Sequence, residues 1–374
     1  MKPIRLLTCL GTALAALAAF QFSAVAQSAH PMPRRPNIIL VVADGLGAND
    51  LSCYGQKQFQ TPNLDKLAAD GIRFTHYSAG ATESSAACAD LMLGTGSAPT
   101  NEDFTLGQAD VTIAQVLKNS GYWTGLIGEW NLGGQSSVGS PWLKGFDEFA
   151  GYLTSGDAAN AYSDFIWRYE HNPTNDSVSV FNGPEVIYDN TSGKQGNYIP
   201  DWLMTLTMNF TKKHQPFYFN RYQPFFLVLH YAIPGNGNHI VPTDAPFSEE
   251  SWPQAEKNRA AAISRVDGYT GQLLQQLDKI GQASNTVVFF TSDTVPRKAD
   301  GTDPKFFHEN SPPDSLRVPM IVRCPGKIPA GQVSDLDCSA RDFLPTAAGI
   351  GLVQPPANSD GVSFLSVLLG QSSK

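Results

Sequence analysis

Read for the spacing of apolar and polar positions, the chain alternates short unbroken apolar runs with stretches of helical period. "RPNIILVVADGLG" is a continuous apolar run that exits through an acidic residue and glycines, the pattern of a strand covered on both faces. "TPNLDKLAADG" follows with helical spacing: Thr61 stands at the cap, Pro62 in the first turn and Gly71 at the end. "IRFTHYSAG" predicts the next strand, "VTIAQVLKNSG" an amphipathic helix and "YWTGLIGEW" a strand after it. Further on, "PFFLVLHYAIP", "TVVFFTSD" and "VPMIVRCPG" predict buried strands, with a long helix over "AAAISRVDGYTGQLLQQLDKIG". Such alternation predicts an α/β fold, a doubly wound and mostly parallel sheet flanked by helices. Residues 150–220 break the rhythm. Rich in Asn, Tyr, Ser and Gly, they predict long loops over one end of the sheet.

Ligands of such folds sit beyond the carboxyl ends of the strands. Asp44 in "VVADG" and Asp293 in "FFTSD" both lie at such ends. One aspartate leaving a strand is often a cap or turn residue; two on matching ends point to a shared metal site. His230, inside an apolar strand, reads as a satisfied core histidine rather than a ligand. Trp123, Trp130 and Trp142 read as packing residues.

Composition narrows the classes. With 374 residues and 42% hydrophobic content, the chain buries a large core. A net charge of −8 and no Lys/Arg cluster exclude a general affinity for nucleic acid or anionic membranes. The N-terminus predicts a signal peptide over 1–26: Lys2 and Arg5, then "LLTCLGTALAALAAF", then the small-residue pattern Ala24-Val25-Ala26. Residues 27–35 read as a linker, and the mature protein is expected to be secreted or periplasmic, with no stable membrane span once the leader is removed. Cys9 leaves with that leader. Of the remaining Cys53, Cys88, Cys324 and Cys338, the last two flank the turn-rich "PGKIPAGQ", which leaves a facing pair and buried free thiols as equal alternatives.

"RPNIILVVADGLGANDLSCYG", "TPNLDKLAADGIRFTHYSAG", "LIGEWNLGG", "NTVVFFTSD", "LRVPMIVRCPGKIPAG" and "DGVSFLSVLLG" occur in the order of the sequence blocks of the sulfatases. From about Pro36 onward the chain resembles that family, arylsulfatase-like members of the alkaline-phosphatase superfamily. The resemblance implies an exported hydrolase of sulfate esters, often on glycans. It also implies calcium held by acidic and amide side chains and a formylglycine nucleophile made from Cys or Ser. The family continues past "DGVSFLSVLLG" into a small C-terminal sheet subdomain. With the chain ending at Lys374, the expectation is a sulfatase-like domain over 36–374 without it, and a cleft open on that side.

The catalytic positions implied by the resemblance are largely substituted. Its first metal pair, two aspartates, is Asp44-Gly45 here, and its late Asp-Asn pair is Asp293-Thr294. The modified residue falls on Ser84, but the signature Cys/Ser-x-Pro-x-Arg reads Ser84-Ser85-Ala86-Ala87-Cys88, so Ser84 is expected to remain a serine. "GKWHLGG" has become "GEWNLGG", putting Glu129 at the Lys position and Asn131 at the His position. The Pro-His after "PFFLVLHYAIP" is Pro234-Gly235, with His239 out of register. "DPKFFHENSPPDSLRVP" looks shortened, so that a further lysine is expected to be lost, with neither Lys305 nor His308 taken as its replacement.

One lost preorganised charge contact costs ~3 kcal/mol, about 10²–10³ in rate, and several are missing together. The expectation is an impaired or inactive sulfatase relative that binds sulfated or other glycans, with calcium weakly held because its ligand set is incomplete. Two readings remain beside it: a working sulfate or phosphate ester hydrolase using Ser84 and a divalent metal at Asp44 and Asp293, and a decaying remnant with no selected role.

Overall fold

The computed structural model describes residues 35–96, 104–175, 178–215, 223–234, 241–296 and 316–371. In chain order its first strands are β1 (Asn37–Asp44), β2 (Ile72–Phe74), β3 (Tyr77–Ser78), β4 (Trp123–Glu129), β5 (Glu148–Tyr152) and β6 (Phe165–His171). There follow β7 (Ser179–Val186), β8 (Phe225–Pro234), β9 (Thr286–Ser292), β10 (Met320–Arg323), β11 (Gln332–Ser334) and β12 (Cys338–Ser339). The α-helices are α1 (Pro62–Ala69), α2 (Ser84–Leu93), α3 (Ile113–Asn119), α4 (Ser155–Ala158), α5 (Ile199–Lys213), α6 (Gln254–Lys279), α7 (Phe343–Ile350) and α8 (Leu365–Leu368).

Ten strands form one sheet in the order β11-β2-β10-β9-β1-β8-β4-β5-β6-β7. The central five, β9 to β5, are parallel throughout, whereas β10, β6 and β7 pair antiparallel. The expected parallel core is therefore present, with antiparallel pairing on both of its flanks. β1 explains why the core is stable. Ile38, Leu40 and Val42 point into one apolar cluster, shared with α2, α3 and α7. Ile39, Val41 and Ala43 point into the other, shared with α1, α5 and α6. Burying each larger aliphatic side chain contributes about 1.5–3 kcal/mol, so a strand buried on both faces anchors the sheet. Gly128 matters here because β4 and β8 approach closely: at φ 120 a Cβ would meet the His230 carbonyl oxygen at 1.8 Å.

Three local expectations are corrected. Residues 150–220 are not long loops: they hold most of β5, the β6–β7 hairpin and the fifteen-residue α5. The hairpin hid because β7 is half-exposed and lacks an alternating apolar face. "IRFTHYSAG" splits into β2 in the main sheet and β3, which pairs with β12 in a separate two-stranded sheet. Thr61 makes no side-chain cap on α1; its hydroxyl accepts instead from the Ser52 backbone N–H over 3.0 Å. Of the two alternatives left open for Cys324 and Cys338, the structure shows free thiols, as it does for Cys53 and Cys88. Residues 1–26, expected to be a signal peptide, and His239, Lys305 and His308 lie outside the described residues. No described helix is long and apolar enough to cross a membrane. The three tryptophans pack as expected: Trp130 edge-on against Phe146, Trp142 stacked on Tyr169, and Trp123 stacked on His214.

Candidate active site

The site forms where the parallel strands end. β1 leaves the sheet at Asp44 through a register shift between Ala43 and Asp44 opposite β8; an irregularity of this kind re-aims the side chain at a strand end. Asp293 follows β9 directly and is 1% exposed. Thr294 joins the two aspartates, its hydroxyl lying 3.2 Å from Asp293 Oδ1 and 3.4 Å from Asp44 Oδ1. The Gly45 backbone N–H also donates to Asp293 Oδ1 over 3.3 Å. Arg259 of α6 steadies the turn, donating to the Gly45 carbonyl and to Asp50 Oδ2, each over 2.8 Å.

Ser84, the first residue of α2, donates its hydroxyl to Asp293 Oδ2 in a short hydrogen bond. The three residues expected at the site, Asp44, Asp293 and Ser84, therefore meet in one place. Cys88 lies one turn along α2, on the same face as Ser84, and hydrogen-bonds to it.

Two further groups enter from the central strands. Glu129 ends β4 at 3% exposure. His230 of β8 is equally buried, and unlike a satisfied core histidine it leaves one ring nitrogen without a hydrogen-bond partner. Its Nδ1 lies 3.0 Å from the Glu129 backbone carbonyl, while Nε2 faces Asp293 Oδ2 at 3.6 Å without a hydrogen-bond partner. Nothing in the local pattern of an apolar strand separates such a histidine from a core one. The departure of Glu129 from the lysine implied by the resemblance was the available signal for that position. The Asn131 side-chain oxygen accepts from the Ser155 backbone N–H over 3.3 Å.

The electrostatics follow from three carboxyl groups around one imidazole. Burial raises Asp44 well above the usual carboxylate range, and repulsion from Asp293 and Glu129 adds to this. Burial pushes Glu129 up to about 7, although His230 opposes it. Burial would lower His230, but the Asp293 contact, with Glu129 and Asp44, outweighs it and raises the imidazole to about 9. Burial would likewise raise Asp293; the contacts from His230, Ser84 and the Gly45 amide win and hold it low. The Cys88 thiol is raised well above its ordinary value by burial and by the neighbouring carboxylates.

Chemically, Ser84 sits among ionisable groups. Its hydroxyl is bound to a carboxylate held at low pKa, and the nearby imidazole is already protonated at neutral pH. General-base activation needs a group with a pKa near the working pH and within reach of the hydroxyl proton.

A parallel sheet thus gathers acidic side chains and a helix-borne serine at one rim. The family profile described as Sulfatase matches residues 36–351, and the chain belongs to the sulfatase family. It is 26% identical to an N-acetylgalactosamine-6-O-sulfatase of Bacteroides thetaiotaomicron, over 90% of this chain and 77% of that protein. It is 28% identical to an N-acetylgalactosamine-6-sulfatase of Canis lupus familiaris, over 93% of this chain and 69% of the relative. The crystal structure of Ps i-CgsB in complex with k-i-k-neocarrahexaose superposes with a TM-score of 0.72 at 27% identity, covering 91% of this chain and 77% of that one.

Proposed function

We propose that this sulfatase-family chain engages carbohydrate of the sulfated-glycan class without carrying out ordinary sulfate-ester turnover. One observation carries the reading: the Ser84 hydroxyl is committed to Asp293, whose charge is already matched by His230. Glu129 supports it, because an acid at the position of a sulfate-clamping lysine offers no positive charge to the anion it should bind. The missing proline and arginine after Ser84 support an unmodified serine rather than formylglycine. With Asp44 and Asp293 left from two metal pairs, calcium is held weakly, since it takes six to eight oxygen ligands. Sulfated-glycan ligands are inferred from relatives named as N-acetylgalactosamine-6-sulfatases. Export to the periplasm or outside the cell is inferred from residues 1–26.

The test is purified protein with a chromogenic sulfate ester. Turnover indistinguishable from that of Ser84→Ala is expected, and turnover well above it would refute the reading. Binding is read separately, by glycan array or calorimetry with sulfated oligosaccharides.

A second reading, sulfate or phosphate ester hydrolysis through Ser84 with a divalent metal at Asp44 and Asp293, is favoured by the meeting of those three side chains in one corner. Added calcium or zinc that raises turnover above the Ser84→Ala level would select it.

A further inference from the structure

We propose that Cys88, His230 and Asp293 form a binding site for a thiophilic divalent cation, zinc by its donor chemistry, in place of the all-oxygen calcium cage implied by the family resemblance. The inference does not depend on whether ester turnover has been lost. A thiol sulfur, an imidazole nitrogen and a carboxylate oxygen from these residues lie within 4.8 Å of one another, and all three side chains are buried.

The orientation of His230 is the central point. A backbone carbonyl can only accept, so Nδ1, 3.0 Å from the Glu129 carbonyl, carries the proton. In the neutral ring Nε2 then presents a bare lone pair. That atom is buried, has no hydrogen-bond partner and faces Asp293 Oδ2 at 3.6 Å. Two electron-pair donors placed in this way require a cation between them. A proton on Nε2 meets that need in the metal-free chain, and a metal ion that displaces it meets it equally.

The geometry suits zinc. Nitrogen and oxygen ligands at ~2.0–2.1 Å in a tetrahedron lie about 3.3 Å apart, so the observed gap needs little closure. Cys88 supplies the third corner, leaving a fourth open beside Ser84. Three protein ligands with one open position is a recurrent zinc arrangement, and an Nδ1–H bound to a carbonyl is the outer contact that orients a ligating imidazole. The set fits calcium poorly, because a sulfur and a nitrogen occupy directions that calcium fills with oxygen. Binding releases the thiol proton and any proton on His230.

The test is a cobalt(II) titration of the untagged full-length chain, followed by absorption spectroscopy and by competition with zinc and calcium. Expected are one equivalent of cobalt, a thiolate-to-metal charge-transfer band with tetrahedral ligand-field bands, displacement by zinc, and no displacement by equal calcium. Cys88→Ser should abolish the charge-transfer band, and His230→Gln should weaken zinc by at least ~10–100-fold. Absence of the band, its survival in Cys88→Ser, or tighter binding of calcium than of zinc overturns the proposal. Should Cys88→Ser fail to fold, a chain with Cys9, Cys53, Cys324 and Cys338 all changed to Ser decides: the band persists if Cys88 is the ligand and vanishes if it is not. Turnover is not the readout, so failure here and failure of the proposed function are separate results.

Discussion

Ser84 and Asp293, separated by 209 residues in the chain, meet as hydroxyl donor and carboxylate acceptor at the head of α2. On the proposed reading, this pairing holds the hydroxyl on a carboxylate rather than on a base of suitable pKa. Ser84→Ala is expected to leave sulfate-ester turnover unchanged. It should lower stability by about 1–3 kcal/mol, because a buried carboxylate loses a hydrogen-bond donor. Urea unfolding of both chains measures the difference, and the mass of the peptide containing Ser84 should be that of plain serine.

Glu129 makes a second, opposite prediction. Its folded-state pKa, about 7, lies above the ordinary 4.5, so folding favours the protonated acid. The benefit is complete below about pH 4.5 and is lost as pH rises through about 7. Glu129→Gln, which keeps the shape without the charge, should therefore stabilise the protein at pH 8 relative to the parent and lose that advantage near pH 4.5. Thermal melts of the two proteins across that range test the sign.

Far from the site, Glu148 joins β5 to α5. Its Oε1 lies 2.6 Å from His214 Nε2 and 2.9 Å from both Lys213 Nζ and Trp123 Nε1. Burial alone would raise this carboxyl, but the His214 and Lys213 contacts pull it down to about 2 from 4.5. A depressed acid contributes stability that is present above its unfolded value and lost as pH falls through the folded one. Glu148→Gln should cost about 3 kcal/mol at pH 7, with the difference from the parent shrinking between about pH 4.5 and pH 2. Denaturant midpoints at pH 7, 4 and 2.5 check it.

The four cysteines of the described domain are all free. Alkylation of the denatured, unreduced protein should therefore label Cys53, Cys88, Cys324 and Cys338 completely, and reductant should leave the melting temperature unchanged. A mass shift that appears only after reduction would reveal a bridge.

Much of this molecule was legible in the chain. The apolar runs at β1, β4, β8 and β9 mark the parallel core because burial on both faces leaves no polar position to interrupt them. Asp44 and Asp293 could be placed on one rim because strand ends share a direction in a parallel sheet. The β6–β7 hairpin was not legible, since a half-exposed edge hairpin has no face that must be apolar. His230 was misread for a related reason: inside an apolar strand, a histidine facing a charge looks the same as one facing a methyl group.

Local pattern, then, was enough for the secondary structure of the core, for the family blocks and for the substitutions at residues 84, 129 and 131. How those substituted positions stand relative to one another was decided by register across the sheet. His230 is opposite Gly128 on β4 and Val42 on β1, and α2 brings Ser84 and Cys88 to the end of β9. Charge, burial and proton position at this cluster depend on distances between residues far apart in the chain. A linear sequence does not contain those distances until the strands have paired.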